Sequence, residues 1–463
     1  MKNKLLTKIV PVVIAGGIKY LLRDDFTDTR AAGAVNGTLA TPGPGTRAVK
    51  DTNTKISVGS DYLNYATGAA MNDGYWLDAV VRTPGRVLLF LVNSTSGNML
   101  AIGYGNASLS DSTGCEMRIY GNQLYHFTAG AVSVGAYTNS TNYYLACVIL
   151  STGEYWFVKG GTQYTTWTFI CVERLRTTDP VYPMIVTQST TAVCKAGFLR
   201  VPSKVFLPTL LLYDAFTRSN GAIGNSIATG PDGQSVAQRT WSGATWTIAT
   251  NAAINTPNLG AEEATGNLVV GTWYKITASE GDYFYVGSAI GDTFRAAAAT
   301  ALDASNKVQA FTTSELFCTF DSSIEDTAIE VKLGALTAKT QAGIVFALDS
   351  EVTPQAFAIL YWDGSGRVRL DTVAAGVYTS RRNIEKAFTA GDALLLTDGV
   401  YPKDKILHKD AAGTLTSIST LTGVPTGTIQ GLFSTDAGNT FNIAAIFPIG
   451  TEDQYADLDR FLE

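Results

Sequence analysis

Seven residues, Leu21-Leu22-Arg23-Asp24-Asp25-Phe26-Thr27, recur 190 positions later as Leu211-Leu212-Tyr213-Asp214-Ala215-Phe216-Thr217, with five of the seven identical. A chain that opens the same way twice is expected to hold one domain type twice. Both copies continue into a Gly/Ala-rich stretch (29–35 and 218–224). Each then reaches a turn-forming loop, Thr41-Pro42-Gly43-Pro44-Gly45 in the first and Gly230-Pro231-Asp232-Gly233 in the second. The first copy spans 190 residues (21–210) and the second 253 (211–463). Residues 257–315 supply nearly all of that excess as a separate β module, with short strands expected at 268–271, 274–277, 282–284, 291–294 and 307–311. Insertion into a loop costs little closure entropy, so the host domain tolerates it. The expected organisation is an arm at 1–20, a first domain at 21–205, and a second at 206–463 carrying the insert.

Outside the insert, apolar segments of strand length alternate with Gly, Pro, Asn, Asp and Ser. Residues 76–82 alternate between apolar and polar, whereas 86–92 (RVLLFLV) are continuously apolar. Hairpins are expected for 117–120 with 123–127 across Gly121-Asn122, and for 143–150 with 155–159. The second copy offers strands at 343–348, 356–362, 367–370 and 393–397, with a turn at Asp363-Gly364-Ser365-Gly366. Helical periodicity is confined to 452–462, where Tyr455, Leu458, Phe461 and Leu462 share one face. Copies of this size fit all-β jelly-roll sandwiches better than an immunoglobulin domain of about 100 residues. The fold class is therefore all-β, two tandem jelly-roll sandwiches, the second carrying a small β insertion.

Charged residues make up only 16% of the chain, and the net charge is -6. A nucleic-acid partner is excluded on that balance, since displacing counterions from phosphates needs a basic surface. The five cysteines share no CxxC spacing, and Cys147 and Cys171 lie in apolar runs, which reads as buried thiols. Two histidines, His126 and His408, leave too few ligands for a histidine metal site or a catalytic triad. The first twenty residues carry Lys2, Lys4 and Lys8 and an apolar stretch that includes Ile9, Val10, Val12, Val13 and Ile14. That stretch is too short to span a bilayer, contains Pro11 and precedes no small-x-small cleavage site. It is expected to be an assembly arm that packs on its own domain or on a neighbouring subunit, without membrane insertion.

The Asp-x-Phe-Thr openings resemble the concanavalin A-like, laminin G-type sandwich modules of tailed-phage virion proteins. So do Phe157-Val158-Lys159-Gly160-Gly161 followed by Trp167-Thr168, and Arg200-Val201-Pro202 ahead of Leu207-Pro208. Within the insert, Leu268-Val269-Val270-Gly271 and Gly291-Asp292-Thr293-Phe294 fit the same pattern. The resemblance covers most of 21–463 through short structural motifs. It implies a virion structural protein, a tail, fibre or capsid-decoration subunit, whose partners are copies of itself and other virion proteins.

A laminarinase-type glycosidase on this fold needs Glu-x-Asp-x-x-Glu, with two carboxylates about 5 Å apart in a cleft. No such string occurs, and Glu325 and Glu330 would fall on opposite faces of a strand. Catalysis is not expected. The alternative function is recognition of a host-surface glycan, with Trp241, Trp246, Tyr75 and Trp76 as the aromatics to stack on sugar rings. The competing reading of each is a core aromatic. No cofactor is expected beyond a structural Ca2+ held through Asp25 or Asp214. Those carboxylates could equally cap the turns before Phe26 and Phe216, and one in-register Asp per copy falls short of the six to eight oxygens the ion takes.

Overall fold

A computed structural model describes residues 19–462 apart from 71–72, 96–98, 107–114, 128–130, 152, 174–178, 188–193, 208–209, 235, 237, 286–287, 326, 399–403 and 449–455. Among these residues the regular structure is strands and two 3-10 turns, Thr313–Leu316 and Ala456–Phe461. The strands form antiparallel sheets of eight, seven, nine, six and four strands. The first two sheets use strands from 20–202 and the next two use strands from 212–448, while the four-stranded sheet lies within 259–311.

The two halves repeat one topology. In each, the opening strand (Tyr20–Asp24 or Leu212–Asp214) pairs antiparallel with the long strand Cys194–Pro202 or Thr440–Pro448. In each, that long strand also pairs with another long central strand, Arg86–Ser94 or Thr327–Ala335. The halves diverge between Tyr62–Tyr65 and Gly74–Trp76 in the first, and between Ala252–Asn255 and Phe317–Asp321 in the second. A short connection in one place is the whole insert in the other.

The repeated Asp-x-Phe explains itself in three dimensions. Asp24 Oδ1 accepts the Phe26 N–H at 3.0 Å, and Asp214 Oδ1 accepts the Phe216 N–H at 2.9 Å. Both phenylalanines sit at φ 52°, in the left-handed region, and both rings are fully buried. The carboxylate holds the chain in a turn that swings an aromatic ring off the opening strand into the sandwich.

The sheets stack in five layers. One core fills the space between the seven- and eight-stranded sheets, with Leu88, Phe90 and Ile102 among its members. A second core joins the eight-stranded sheet to the nine-stranded sheet, through Leu89, Val148 and Phe169 on one side and Ala328, Leu395 and Phe447 on the other. A third lies between the nine- and six-stranded sheets, and a fourth packs Trp273 and Phe311 of the insert on the far face of the six-stranded sheet. Strands Arg86–Ser94, over 87–92, and Tyr143–Leu150 are continuously apolar because both faces of their sheet are covered. The terminal 3-10 turn seals the junction: Leu458 and Phe461 are buried, and Arg200 Nη1 donates to the Leu462 carbonyl at 2.7 Å.

Several expected elements differ. The alternating stretch 76–82 is strand only at its start, as the end of Gly74–Trp76, with one isolated bridge at Val80. In the insert, 268–271 and 282–284 are turns and loops, Leu259–Glu263 supplies a strand instead, and 291–294 contributes Thr293–Arg295. The expected terminal helix is a 3-10 turn over its described part. Cys147, Cys171, Cys194 and Cys318 are buried thiols, and burial pushes Cys194 up to about 11.

Candidate functional site

None of the residues singled out for sugar or calcium is placed to bind one. Tyr75 and Trp76 are buried, and the Tyr75 hydroxyl donates to Asp24 Oδ2 at 2.5 Å. Trp241 and Trp246 are buried in the second sandwich, where Trp241 Nε1 donates to Asp214 Oδ2 at 2.9 Å. An indole enclosed on both faces offers nothing for a sugar ring to stack on, so these four are core aromatics. Asp25 lies between Arg23 at 2.7 Å and Arg200 at 2.6 Å. Asp214 spends its oxygens on Phe216, Arg218 and Trp241. Two guanidinium groups beside Asp25 repel a third cation, and Asp214 is fully buried with both oxygens engaged, so the calcium expectation is corrected at both. Among the described residues no group of three or more His, Cys, Asp or Glu is placed to hold a metal. The arm residues Ile9, Val10, Val12, Val13 and Ile14 lie outside the described residues.

The structure instead opens a cleft of about 410 Å³ where the insert meets the six-stranded sheet. Its insert wall carries Phe284, Tyr285, Phe294 and Arg295, its floor Trp273 and Tyr361, and its sheet wall Arg367 and Arg369. Arg367 and Arg369 stand two apart on the strand Arg367–Ala374, so both project from the outer face while Val368 and Leu370 enter the core. Phe294 packs at 5.3 Å from the ring of Phe284 and 5.9 Å from that of Tyr285, which gives the insert wall an aromatic surface, half-buried and open on one side.

A buried polar network fixes the insert against the sandwich. Thr293 Oγ1 donates to Gln341 Oε1 at 2.6 Å, Gln341 Nε2 donates to the Thr293 carbonyl at 2.7 Å, and Thr435 Oγ1 completes the set. The adjoining turn is held as closely. Gly364 has φ +64°, and a Cβ there would lie 2.6 Å from the Lys339 backbone nitrogen, so the 363–366 turn seats directly on the segment that carries Lys339. Asp363 Oδ1 accepts the N–H groups of Ser365 and Arg367, and its Oδ2 accepts Arg369 Nε at 2.8 Å.

The charges are arranged in tiers. Asp371, buried beneath the floor, accepts the Tyr361 hydroxyl at 2.8 Å and Arg295 Nη2 at 3.0 Å, while the Arg295 guanidinium lies 4.3 Å over the Tyr378 ring. Burial, reinforced by Asp371, holds the Tyr361 hydroxyl well above its ordinary range. Burial alone would lower Arg369, but Asp363, with Tyr361 and Asp371 behind it, more than offsets this and the net shift is upward. Tyr285 is raised by burial and by Asp292, which also contacts Lys339 at 3.3 Å. The carboxylates hold the cations in position from behind and below.

A second cavity, of about 250 Å³, lies where the sandwiches meet, between Tyr155, Tyr213, Phe447 and the Glu330–Lys409 ion pair at 3.0 Å. The first-named cleft was legible in part. The alternation of Arg367-Val368-Arg369 puts two cations on one face, and Tyr283-Phe284-Tyr285 is an aromatic run in a Gly- and Asp-bearing loop. Nothing in local sequence links them to Arg295 or Lys339.

No family model matches the chain, and no curated protein does. Several solved structures match the chain at low identity. The mouse laminin alpha1 chain, domains LG4-5, is 8% identical, with 96% of this chain and 92% of that chain covered and a TM-score of 0.20. The GH43 protein BlXynB of Bacillus licheniformis is 9% identical over 87% of this chain and 74% of its own, with a TM-score of 0.27. The Trypanosoma rangeli sialidase in complex with sialic acid is 10% identical over 89% of this chain and 62% of its own, with a TM-score of 0.25. The expectation that this chain is not an enzyme is corrected: the lack of one laminarinase-type string excludes one catalytic layout only, and a GH43 protein and a sialidase stand among the structural matches.

Proposed function

We propose that this chain is a saccharide-binding β-sandwich protein whose ligand occupies the cleft between the insert and the six-stranded sheet. The observation that carries the reading is the pairing of a half-buried aromatic wall, Phe284, Tyr285 and Phe294, with guanidinium donors on the opposite wall. Sugar rings present apolar C–H faces and a rim of hydroxyls, so they need a π surface on one side and hydrogen-bonding groups on the other. The buried Thr293–Gln341–Thr435 network keeps the walls apart at a fixed spacing, which limits the ordering cost of binding. Ala297 is exposed on the rim, and Ala297→Trp is expected to fill the cleft without touching a core. Binding to a glycan array should then fall to background while the melting temperature stays within about 2 °C. Unchanged binding would remove the cleft from the reading. Release of reducing ends from any bound polymer is read from the same samples.

We place this binding activity on a tailed-phage particle, as part of a tail, fibre or capsid-decoration subunit joined to its own copies through the arm at 1–20. The resemblance of the two sandwich openings to virion modules supports that setting. Light scattering on the full chain and on Val12→Asp/Val13→Asp tests it. A defined oligomer that the double variant dissolves is the expected outcome, and two monomers would remove the arm from assembly.

A further inference from the structure

We propose that the saccharide taken by this cleft is acidic, a polymer whose carboxylate or sulfate groups are read by Arg295, Arg367 and Arg369. The inference rests on the saccharide reading and adds the chemical class of its ligand. It follows from counting donors against acceptors. Each guanidinium carries five N–H donors in a planar fork. The structure commits Nε of Arg369 to Asp363 and Nη2 of Arg295 to Asp371. Arg367 meets Glu385 at 3.9 Å, beyond hydrogen-bond distance. Arg295 Nε is buried without a hydrogen-bond partner and, like the buried Asp371 Oδ1, does not count toward a ligand, which leaves Nη1 of Arg295, the Nη groups of Arg369 and the side chain of Arg367 as the donors of the cleft.

The carboxylate and amide acceptors of the same walls are not open to a ligand. Asp363 uses both oxygens on Ser365, Arg367 and Arg369, Gln341 Oε1 accepts from Thr293 and Thr435, and Asp371 Oδ2 accepts from Tyr361 and Arg295, while the unpartnered Asp371 Oδ1 is buried beneath the floor. Donors therefore outnumber acceptors for anything that enters. A neutral sugar hydroxyl both gives and takes a hydrogen bond, so it would leave its own hydrogen unmatched here. A carboxylate or sulfate only accepts, and it fits the guanidinium fork two bonds at a time. The backing carboxylates lie behind the guanidinium groups they orient, at contact distances of 2.8 Å for Asp363 and 3.0 Å for Asp371. The chain as a whole carries -6, so attraction for a polyanion has to come from a local feature such as this one.

The test measures affinity of the full chain for polygalacturonate and dextran sulfate against galactan and unsulfated dextran, by affinity electrophoresis. Tighter binding of at least one acidic polymer, by about tenfold over its neutral counterpart and weakening as salt rises, is the expected result. Preference for polygalacturonate or for dextran sulfate then separates carboxylate from sulfate. Arg367→Gln should lower acidic binding about tenfold with the fold intact, since that side chain is 43% exposed and enters no core. Arg367→Lys should recover only part, because a point charge does not reproduce the fork. Equal or tighter binding of the neutral polymers would overturn the acidic class and leave the saccharide cleft standing. Acidic binding that Arg367→Gln and Ala297→Trp both leave unchanged would also overturn it, by placing the polymer elsewhere. Failure to bind any of the four polymers would overturn the acidic class and the saccharide reading together.

Discussion

Arg47 grips Asp24 at two points, Nε to Oδ2 at 2.6 Å and Nη2 to Oδ1 at 2.8 Å, with neither side chain exposed. The same carboxylate accepts the Phe26 N–H and the Tyr75 hydroxyl, so one residue sets the turn, anchors an aromatic and neutralises a buried cation. In the second copy Asp214 keeps the turn, but its cation is Arg218, whose side chain is 25% exposed. Asp24→Asn leaves a sealed guanidinium short of its main counter-charge and is expected to cost about 3–5 kcal/mol. Asp214→Asn should cost less, because water reaches Arg218. Thermal melts of the two variants check the order, and a smaller loss for Asp24→Asn would show that the sealed pair is not the tighter constraint.

Acid should unpick the same corner. Hydrogen bonds from Arg47, outweighing partial burial, hold Asp28 at about 2, below the ordinary value of 3.8. A carboxyl lowered by folding contributes stability that is complete above its unfolded value. That contribution fades as pH falls from near 4 toward 2. Asp28→Asn removes the contribution at every pH, so its stability should vary less steeply than that of the native chain across this window. Denaturant midpoints at several pH values measure the two slopes, and parallel curves would refute the link.

Much of this architecture is readable in the amino-acid order, and the reasons separate what was legible from what was not. The Asp-x-Phe repeat is local, so a seven-residue match found the duplicated topology. Continuous apolar strands such as Arg86–Ser94 announce a sheet covered on both faces, which the junction between the sandwiches supplies. The tryptophans beside polar loops left sugar contact and core both open, because the sequence neighbours of Trp241 are exposed and those of Trp246 half-buried while both rings point inward. The meeting of the cleft's two walls was hidden for a different reason. Arg295 meets Asp371 across 76 positions, and no periodicity within a single strand reports a contact between an insert and the face it lands on.

Trp241 offers a direct check on the corrected aromatics. Its Nε1 is the sole indole donor to Asp214 Oδ2 among the described residues, and its ring stacks edge-on to Phe320 at 5.5 Å. Trp241→Phe keeps an aromatic ring there but leaves a buried carboxylate oxygen with no donor, at a cost of about 1–3 kcal/mol. Binding to any saccharide the native chain takes should be unchanged, since the cleft is on the opposite side of the six-stranded sheet. A melt together with a binding titration separates the two effects. Lost affinity with unchanged stability would restore Trp241 as a contact residue.

The junction between the sandwiches should make them unfold as one body. Phe447 stacks on Phe169 at 6.1 Å with planes 12° apart and sits 5.5 Å from the Tyr155 ring, so it spans from the second half of the chain to the first. Around it the outer faces of two sheets bury their apolar side chains against each other, and Lys159 and Trp167 both reach Asp459 of the terminal turn. Phe447→Ala would leave a cavity at the centre of that contact, costing about 3–5 kcal/mol. Because the loss falls on the contact and not on either sandwich's inner core, calorimetry should resolve the native chain's single transition into two in the variant. Two transitions already present in the native chain would mean that the junction does not couple the sandwiches.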